Sequence, residues 1–64
     1  MENKNLKTLE TAIEFTNNDY VAIFDDGSIV FYEHQKNTRI DVKPKDSTLY
    51  LAKILKTKEI KKIY

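Results

Sequence analysis

The sequence predicts an α+β domain in which an N-terminal helix and a C-terminal helix flank a three-stranded antiparallel meander, in the order α-β-β-β-α. Three observations predict this class. An apolar repeat with helical spacing lies near the start, β-branched and aromatic runs lie on both sides of Asp25-Asp26-Gly27, and a second helical repeat follows the single proline. The 64 residues form one small domain, 1–64, with no room for a second hydrophobic core.

The first helix is predicted over about 6–16, with Asn5 as a possible N-cap. The residues that recur at the spacing of one helical face are Leu6, Leu9, Ala12, Ile13 and Thr16. The following Asn17-Asn18-Asp19 is expected to end the helix, because these short polar side chains compete for backbone hydrogen bonds.

The three strands are predicted in the middle of the chain. Residues 20–24 and 29–33 are β-branched and aromatic runs, and the turn 25–28 joins them as a hairpin because Asp and Gly supply the positive φ of tight turns. A third strand is expected over about 38–43, where apolar and charged residues alternate. Pro44 ends this strand.

The C-terminal helix is expected to begin with Asp46 or Ser47 as its N-cap. Its apolar face consists of Leu51, Ile54 and Leu55. The last apolar residues, which are Ile60, Ile63 and Tyr64, lie on the opposite side of any straight continuation of this helix. Either the helix breaks near Thr57-Lys58 or the last residues form a short strand. The break is the favoured alternative, and the conformation of 57–64 stays open.

Both faces of the predicted sheet need cover, because strands 20–24 and 29–32 are apolar at consecutive positions. Tyr20, Ala22 and Phe24 point to one face, and Val21 and Ile23 point to the other. The two helices could take one face each. Alternatively both helices, or only the longer one, cover one face, and the aromatic face meets a partner or a second copy of the chain. The second arrangement is favoured, because so short a chain gains much from association.

The charge distribution is asymmetric although the net charge is only +1. Residues 1–35 carry two Lys against seven Asp and Glu, a net charge of −5, whereas residues 36–64 carry nine Lys and Arg against three Asp and Glu, a net charge of +6. Such halves can pair with each other or mark partner surfaces. No segment approaches the ~20 apolar residues of a membrane span, and the start lacks the apolar run of a signal peptide. A cytoplasmic protein is expected.

The chemistry of an enzyme is not expected. There is no cysteine, His34 is the single histidine, and the two serines fall at predicted turn and cap positions. A single glycine excludes glycine-rich phosphate loops, and Asp25-Asp26-Gly27 lacks the later ligands of a calcium loop. Glu33 and His34 would point to opposite faces of a strand. The sequence therefore predicts no catalytic residue, no metal and no cofactor.

A nucleic-acid-binding module is one functional hypothesis. The predicted element order is that of double-stranded-RNA-binding domains, and five lysines crowd the C-terminal region: Lys53, Lys56, Lys58, Lys61 and Lys62. However, the acidic turn 25–28 would repel phosphate, and the lysines scatter around a helical wheel instead of forming a stripe. This hypothesis is kept as the alternative.

The second hypothesis comes from a family resemblance. The segment with Asp25-Asp26-Gly27, Phe31-Tyr32-Glu33, Lys36 and Ile40-Asp41-Val42, followed by a final helix, resembles the small uracil-DNA glycosylase inhibitors of Bacillus phages. That family consists of compact homodimers with a three-stranded sheet and a helix. Its members occupy the DNA-binding cleft of the glycosylase and enclose the apolar DNA-intercalating side chain of the enzyme at the dimer interface.

The resemblance implies a function and a set of partner-binding residues. Glu33 and Asp41 would stand where the family places acidic residues that face the enzyme, Tyr32 would match an aromatic residue, and Ile40 would replace one. The implied function is that of a non-catalytic, homodimeric inhibitor that acts in the host cytoplasm. It would bind a host DNA-processing enzyme by DNA mimicry, with uracil-DNA glycosylase as the candidate. Carboxylates on rigid strands suit a partner that grips phosphates with N–H groups and basic side chains.

Overall fold

The computed structural model describes residues 7–64 and contains one antiparallel sheet with one helix packed on it. The elements, in chain order, are β1 Leu9–Phe15, β2 Tyr20–Phe24, β3 Ile29–Glu33, β4 Thr38–Val42, α1 Pro44–Thr57 and β5 Ile60–Ile63. The five strands have the order β4-β3-β2-β1-β5, so the first four form a meander and the last pairs with the first. The α-β-β-β-α prediction is therefore wrong.

The predicted N-terminal helix over 6–16 is replaced by β1, while Asn5 and Leu6 lie outside the described residues. Ile13 pairs with Val21 of β2 on one side and with Ile63 of β5 on the other. Two neighbouring strands thus satisfy the backbone of this segment, and such tertiary pairing overrides a local helical pattern.

The turn after β1 differs from the prediction for the same reason. Asn17-Asn18-Asp19 ends a strand instead of a helix, and it connects β1 to β2 as a tight turn. Asn18 has a φ of 73°, a left-handed conformation that asparagine tolerates better than most residues.

The central hairpin is confirmed with its predicted bounds, since β2 and β3 pair in register around the turn 25–28. Gly27 has a φ of 91°, as the turn requires. The carboxylate of Asp26 accepts hydrogen bonds from the backbone N–H and the hydroxyl of Ser28, at 2.8 and 2.6 Å. These bonds explain the local sequence of the turn: the acidic side chain closes it and glycine permits its backbone.

The C-terminal region combines the two alternatives left open by the sequence. The helix α1 ends at Thr57, and β5 then runs beside β1. The predicted caps are wrong, because Lys43 is the N-cap and Pro44 begins the helix, a position where its missing N–H costs nothing. Ser47 instead is buried and donates a hydrogen bond to the carbonyl of Pro44 at 3.0 Å.

The hydrophobic core lies between α1 and one face of the sheet. Its buried members are Ile13, Phe15, Val21, Ile29, Phe31 and Ile54. Hiding each such side chain from water contributes about 1.5–3 kcal/mol before conformational entropy is subtracted. With 14 residues, α1 is neither long nor apolar enough to cross a membrane, and residues 7–64 contain no other helix.

Asp19 joins three parts of the fold at one end of the sheet, where it is 5% exposed. Its carboxylate accepts hydrogen bonds from the backbone N–H of His34 at 2.8 Å and from the side-chain amide of Asn17 at 3.0 Å. The ammonium of Lys58, at the end of α1, lies 3.1 Å away. Burial raises the pKa of this carboxyl, but the hydrogen bonds from His34, Lys58 and Asn17 outweigh burial and leave the pKa lowered.

Candidate binding face of the sheet

Within residues 7–64, no helix covers the sheet face opposite α1, which we call the open face. Three tyrosines lie across it. Tyr20 and Tyr32 are directly opposite each other on β2 and β3, and Arg39 of β4 is opposite Tyr32. Tyr64 follows β5, and its ring stacks on Tyr20 with a centroid distance of 6.3 Å and an interplanar angle of 21°. We call Tyr64, Tyr20 and Tyr32 the tyrosine row.

Glu14 of β1 fixes one end of the tyrosine row. The hydroxyl of Tyr64 donates a hydrogen bond of 2.7 Å to its carboxylate, and the ammonium of Lys61 lies 3.6 Å from it. The pKa of Glu14 is lowered, chiefly by the hydrogen bond from Tyr64 and further by Lys61. The same hydrogen bond raises the pKa of Tyr64. The end of the row is thus held in place in the unbound chain.

Cations lie beside both outer rings of the row. The guanidinium of Arg39 lies 5.9 Å from the ring centroid of Tyr32, and the ammonium of Lys62 lies 4.7 Å from that of Tyr64. Both distances are in the range of cation–π attraction. Arg39 also donates to the carboxylate of Asp41 from two nitrogens, at 3.1 and 3.2 Å. The face therefore presents aromatic rings with cations and carboxylates in similar number.

A shallow depression of about 610 Å³ opens at the end of the face where β2 begins and β3 ends. Its lining includes Glu14, Tyr20, Tyr32, Glu33, His34 and Arg39. Its lining includes two aromatic rings and two carboxylates, so it can bind an apolar or a cationic group of a partner.

The four residues expected to bind a partner divide between the two faces. Tyr32 belongs to the tyrosine row and is 43% exposed, and Asp41 lies on the same face with its side chain 63% exposed. Glu33 ends β3, lines the depression and accepts a hydrogen bond of 3.0 Å from the hydroxyl of Thr38. Ile40 lies on the other face, opposite Phe31, and packs against the core. The structure thus brings two of the four, Tyr32 and Asp41, to the open face. Glu33 has the strand parity of Phe31, on the helix side, and reaches the depression only at the end of the sheet.

Four residues of this face are not among the predicted partner-binding residues: Glu14, Tyr20, Arg39 and Tyr64. Glu14 falls in the segment that the sequence predicts to be helical, and Tyr64 falls in 57–64, for which the sequence leaves two conformations open. Strand alternation places Tyr20 on the aromatic face and Arg39 on the same face as Asp41. Only the pairing of β5 with β1 brings Tyr64 to Tyr20.

The lysines of the C-terminal region do not form one surface. Lys58 contacts Asp19 and lies 5.7 Å from the ring of Phe31 on the helix side. Lys61 and Lys62 contact Glu14 and Tyr64 at the open face. Among residues 7–64, no three His, Asp or Glu side chains are arranged to hold a metal ion.

The fold and this face define a small α+β protein. Within residues 7–64, α1 covers one face of its five-stranded sheet, and the other face carries an aromatic surface suited to binding. The chain matches no protein-family model, no curated protein and no solved structure.

Proposed function

We propose that the chain is a non-catalytic inhibitor that binds a DNA-processing enzyme through the open sheet face and occupies the DNA-binding site of that enzyme. One observation carries the proposal: the tyrosine row and the exposed carboxylate of Asp41 lie on one sheet face, the carboxylate of Glu33 lines the depression at its edge, and no helix within residues 7–64 covers this face. Tyrosine is among the side chains that most often dominate the binding energy of protein interfaces.

Preorganisation supports a binding role for this face. The stacking of Tyr20 on Tyr64 and the hydrogen bond from Tyr64 to Glu14 order the rings before a partner arrives. The chain therefore loses less side-chain conformational entropy on binding a partner than it would if these rings rotated freely.

The carboxylates support the choice of a target enzyme that normally binds the phosphates of DNA. Asp41 is mostly exposed on a strand, and its ion pair with Arg39 is of the exposed kind that exchanges partners at small cost. Glu33 lies at the rim of the depression, 3.9 Å from the exposed ammonium of Lys36. Basic side chains of an enzyme could therefore replace Arg39 and Lys36 as partners of these carboxylates.

The resemblance of residues 25–42 to phage inhibitors supports uracil-DNA glycosylase as the candidate enzyme. The same resemblance supports a homodimer and, because such an enzyme works on the chromosome of a bacterial host, the host cytoplasm as the compartment. These parts of the proposal depend on the sequence segment and not on the tyrosine row.

A titration of uracil excision tests the proposal. Inhibition is expected at an equimolar ratio of chain to glycosylase. The double variant Glu33→Gln, Asp41→Asn is expected to weaken inhibition roughly 10- to 100-fold, because charged pairs across an interface are lost. The matched control Asp46→Asn, Glu59→Gln changes two exposed carboxylates outside the open face and should inhibit like the natural chain. Absence of inhibition at a large excess of the chain would exclude the glycosylase as the target. Unchanged inhibition by the double variant would exclude DNA mimicry by these two carboxylates.

A second candidate function is the binding of single-stranded nucleic acid. The observation that favours it is that the exposed rings of the tyrosine row are bracketed by Lys62 and Arg39, as in platforms on which successive bases stack. Arg39→Gln separates the two functions. It should weaken salt-sensitive binding of a labelled single-stranded DNA, whereas it frees Asp41 and should leave enzyme inhibition intact or stronger.

A further inference from the structure

β4 is an edge strand of the sheet, and within residues 7–64 no strand pairs with its outer side. It is regular over its whole length, because Thr38–Val42 pairs with β3 without a bulge. It contains neither lysine nor proline, the residues that commonly keep edge strands from pairing with other chains. The opposite edge, β5, has two lysines among its four residues and a register shift where it meets β1. Of the two edges, β4 is therefore the better suited to pair with another strand.

The direction of the backbone groups of β4 follows from the ladder, because hydrogen-bonded and non-hydrogen-bonded pairs alternate along antiparallel strands. The N–H of Phe24 donates to the carbonyl of Ser28 at 3.0 Å, so every second residue of β3 counted from Ser28 directs its backbone groups toward β2. The residues between them bond to β4, where Ile40 and the residues two positions away from it are the partners. The N–H and C=O groups of Arg39 and Asp41 therefore point outward from the sheet.

The charges of β4 complement those of a second copy of β4 in one register. When two identical strands pair antiparallel about Ile40, each Arg39 lies opposite Asp41 of the other copy. The outward backbone groups of these two residues then form hydrogen bonds between the copies. Moving the centre by one residue, to Arg39 or Asp41, places like charges opposite each other. β5 has no such register, because pairing about its middle places Lys61 or Lys62 opposite its own copy.

The helix side of the sheet leaves room for this pairing. Ile40 would lie opposite Ile40 of the second copy as a non-hydrogen-bonded pair, the type in which side chains are closest. α1 lies inward of β4: Tyr50 packs edge-on against Phe31 of β3, with 6.3 Å between ring centroids. Leu55 also lines a pocket together with Ile23 of β2. In the joined sheet the two β3 strands are three strand spacings apart, about 14 Å, which exceeds the distance of about 8–10 Å between packed helices.

We infer that two copies of the chain pair through β4, about a two-fold axis at Ile40, and form a continuous ten-stranded sheet. Both α1 helices lie on one face of this sheet and both tyrosine rows on the other, so the two open faces become one surface. The exposed ion pair between Arg39 and Asp41 within the chain exchanges for two equivalent ion pairs between the copies. The inference rests on the homodimer of the proposed function and deepens it by assigning the interface.

Sedimentation of the natural chain over about 5–500 µM tests the pairing, since an edge of five residues is small and a weak dimer is expected. The chain should sediment as a monomer at the low end and as a dimer at the high end. Hydrogen exchange measured by NMR then reports which edge is used. The N–H groups of Arg39 and Asp41 should exchange more slowly in proportion to the dimeric fraction, whereas the N–H of Ile63, on the outer side of β5, should not change.

Two charge reversals test the register. Arg39→Glu and Asp41→Lys each place like charges opposite each other at both pairs, so each should weaken dimerisation at least about tenfold. Mixed in equal amounts, the two variants should form a heterodimer as tightly as the natural chain dimerises, because every pair then has opposite charges. The matched controls Lys56→Glu and Glu59→Lys make the same changes of net charge away from β4 and should dimerise like the natural chain. Circular dichroism establishes that all four variants are folded, and the exchange pattern of the natural chain decides if one is not.

Four results would overturn the inference. A natural chain that stays monomeric at about 500 µM would exclude the pairing. A dimer that neither charge reversal weakens, or one that protects Ile63 instead of Arg39 and Asp41, would place the interface elsewhere. Failure of the mixed variants to form a heterodimer would exclude the register. All four are measured without a glycosylase, whereas the titration of uracil excision tests inhibition by monomer or dimer alike, so failure of the interface and failure of the proposed inhibition are distinguishable.

Discussion

Replacing Asp19 with alanine tests whether a single buried carboxylate holds one end of this fold together. The side chain joins the β1–β2 turn to the loop before β4 through the N–H of His34, and to the end of α1 through Lys58. The variant removes all these contacts at once and leaves their donors in place. We therefore expect loss of stability without a change of fold.

The magnitude follows from the burial of the group. The carboxylate of Asp19 is 7% exposed, while Lys58 is 24% exposed and can recover part of its hydration. Removing one partner of a buried ion pair costs about 3–5 kcal/mol, so a value near the lower end, about 3 kcal/mol, is expected. For a domain of this size, that corresponds to a decrease in Tm of roughly 12–24 °C.

Thermal and urea unfolding, monitored by circular dichroism, measure the loss of stability. Asp19→Asn keeps the shape and the acceptor for His34 but loses the charge, so its stability should fall between those of the natural chain and Asp19→Ala. Asp41→Ala is the control, because it breaks an exposed ion pair and should cost less than about 1 kcal/mol. A Tm of Asp19→Ala within a few degrees of the Asp41→Ala control would refute the reasoning.

The pH dependence gives an independent check on Asp19. Its pKa is lower in the folded chain than in the unfolded chain, where a value of about 3.9 is ordinary. The ionised group therefore stabilises the fold above that pH, and this contribution is lost as the pH falls toward the folded pKa. The difference in free energy of unfolding between the natural chain and Asp19→Ala should shrink between neutral pH and about pH 2. A difference that stays constant with pH would exclude a role for the charge.

Three further predictions concern the turns and the tyrosine row. Gly27→Val should lower the free energy of unfolding by about 2 kcal/mol in urea titrations, because valine resists a φ of 91° and its Cβ would lie 3.4 Å from Pro44; unchanged stability would exclude this turn geometry. Asn18→Val should cost about 1–2 kcal/mol and Asn18→Gly little, so equal costs would contradict the left-handed φ of 73°. In Tyr64→Phe, the pKa of Glu14 measured by NMR should rise toward its ordinary value, and no movement would mean that the hydrogen bond is absent in solution.

The sequence predicted what depends on local chemistry. The hairpin around Asp26 and Gly27 was found with its predicted bounds because turn geometry is encoded in adjacent residues. The helix prediction fails at β1, because the backbone of this segment pairs with β2 and β5. These long-range hydrogen bonds, and not the local helical repeat of apolar residues, determine its conformation. Strand alternation correctly separated Ile40 from Asp41, but no local signal said which of the two faces α1 would cover.

The pairing of β5 with β1 sets the order in which the sheet can be completed. Contacts such as that between Tyr64 and Glu14 join residues 50 positions apart. Closing such a loop has an entropic cost that nearest-neighbour hairpins avoid, so a high contact order should make this the slow event of folding. On the ribosome, β1 emerges first and keeps a vacant edge until β5 follows. A chain cut before Ile60 would retain that vacant edge, and its failure should take the form of aggregation between nascent or truncated chains.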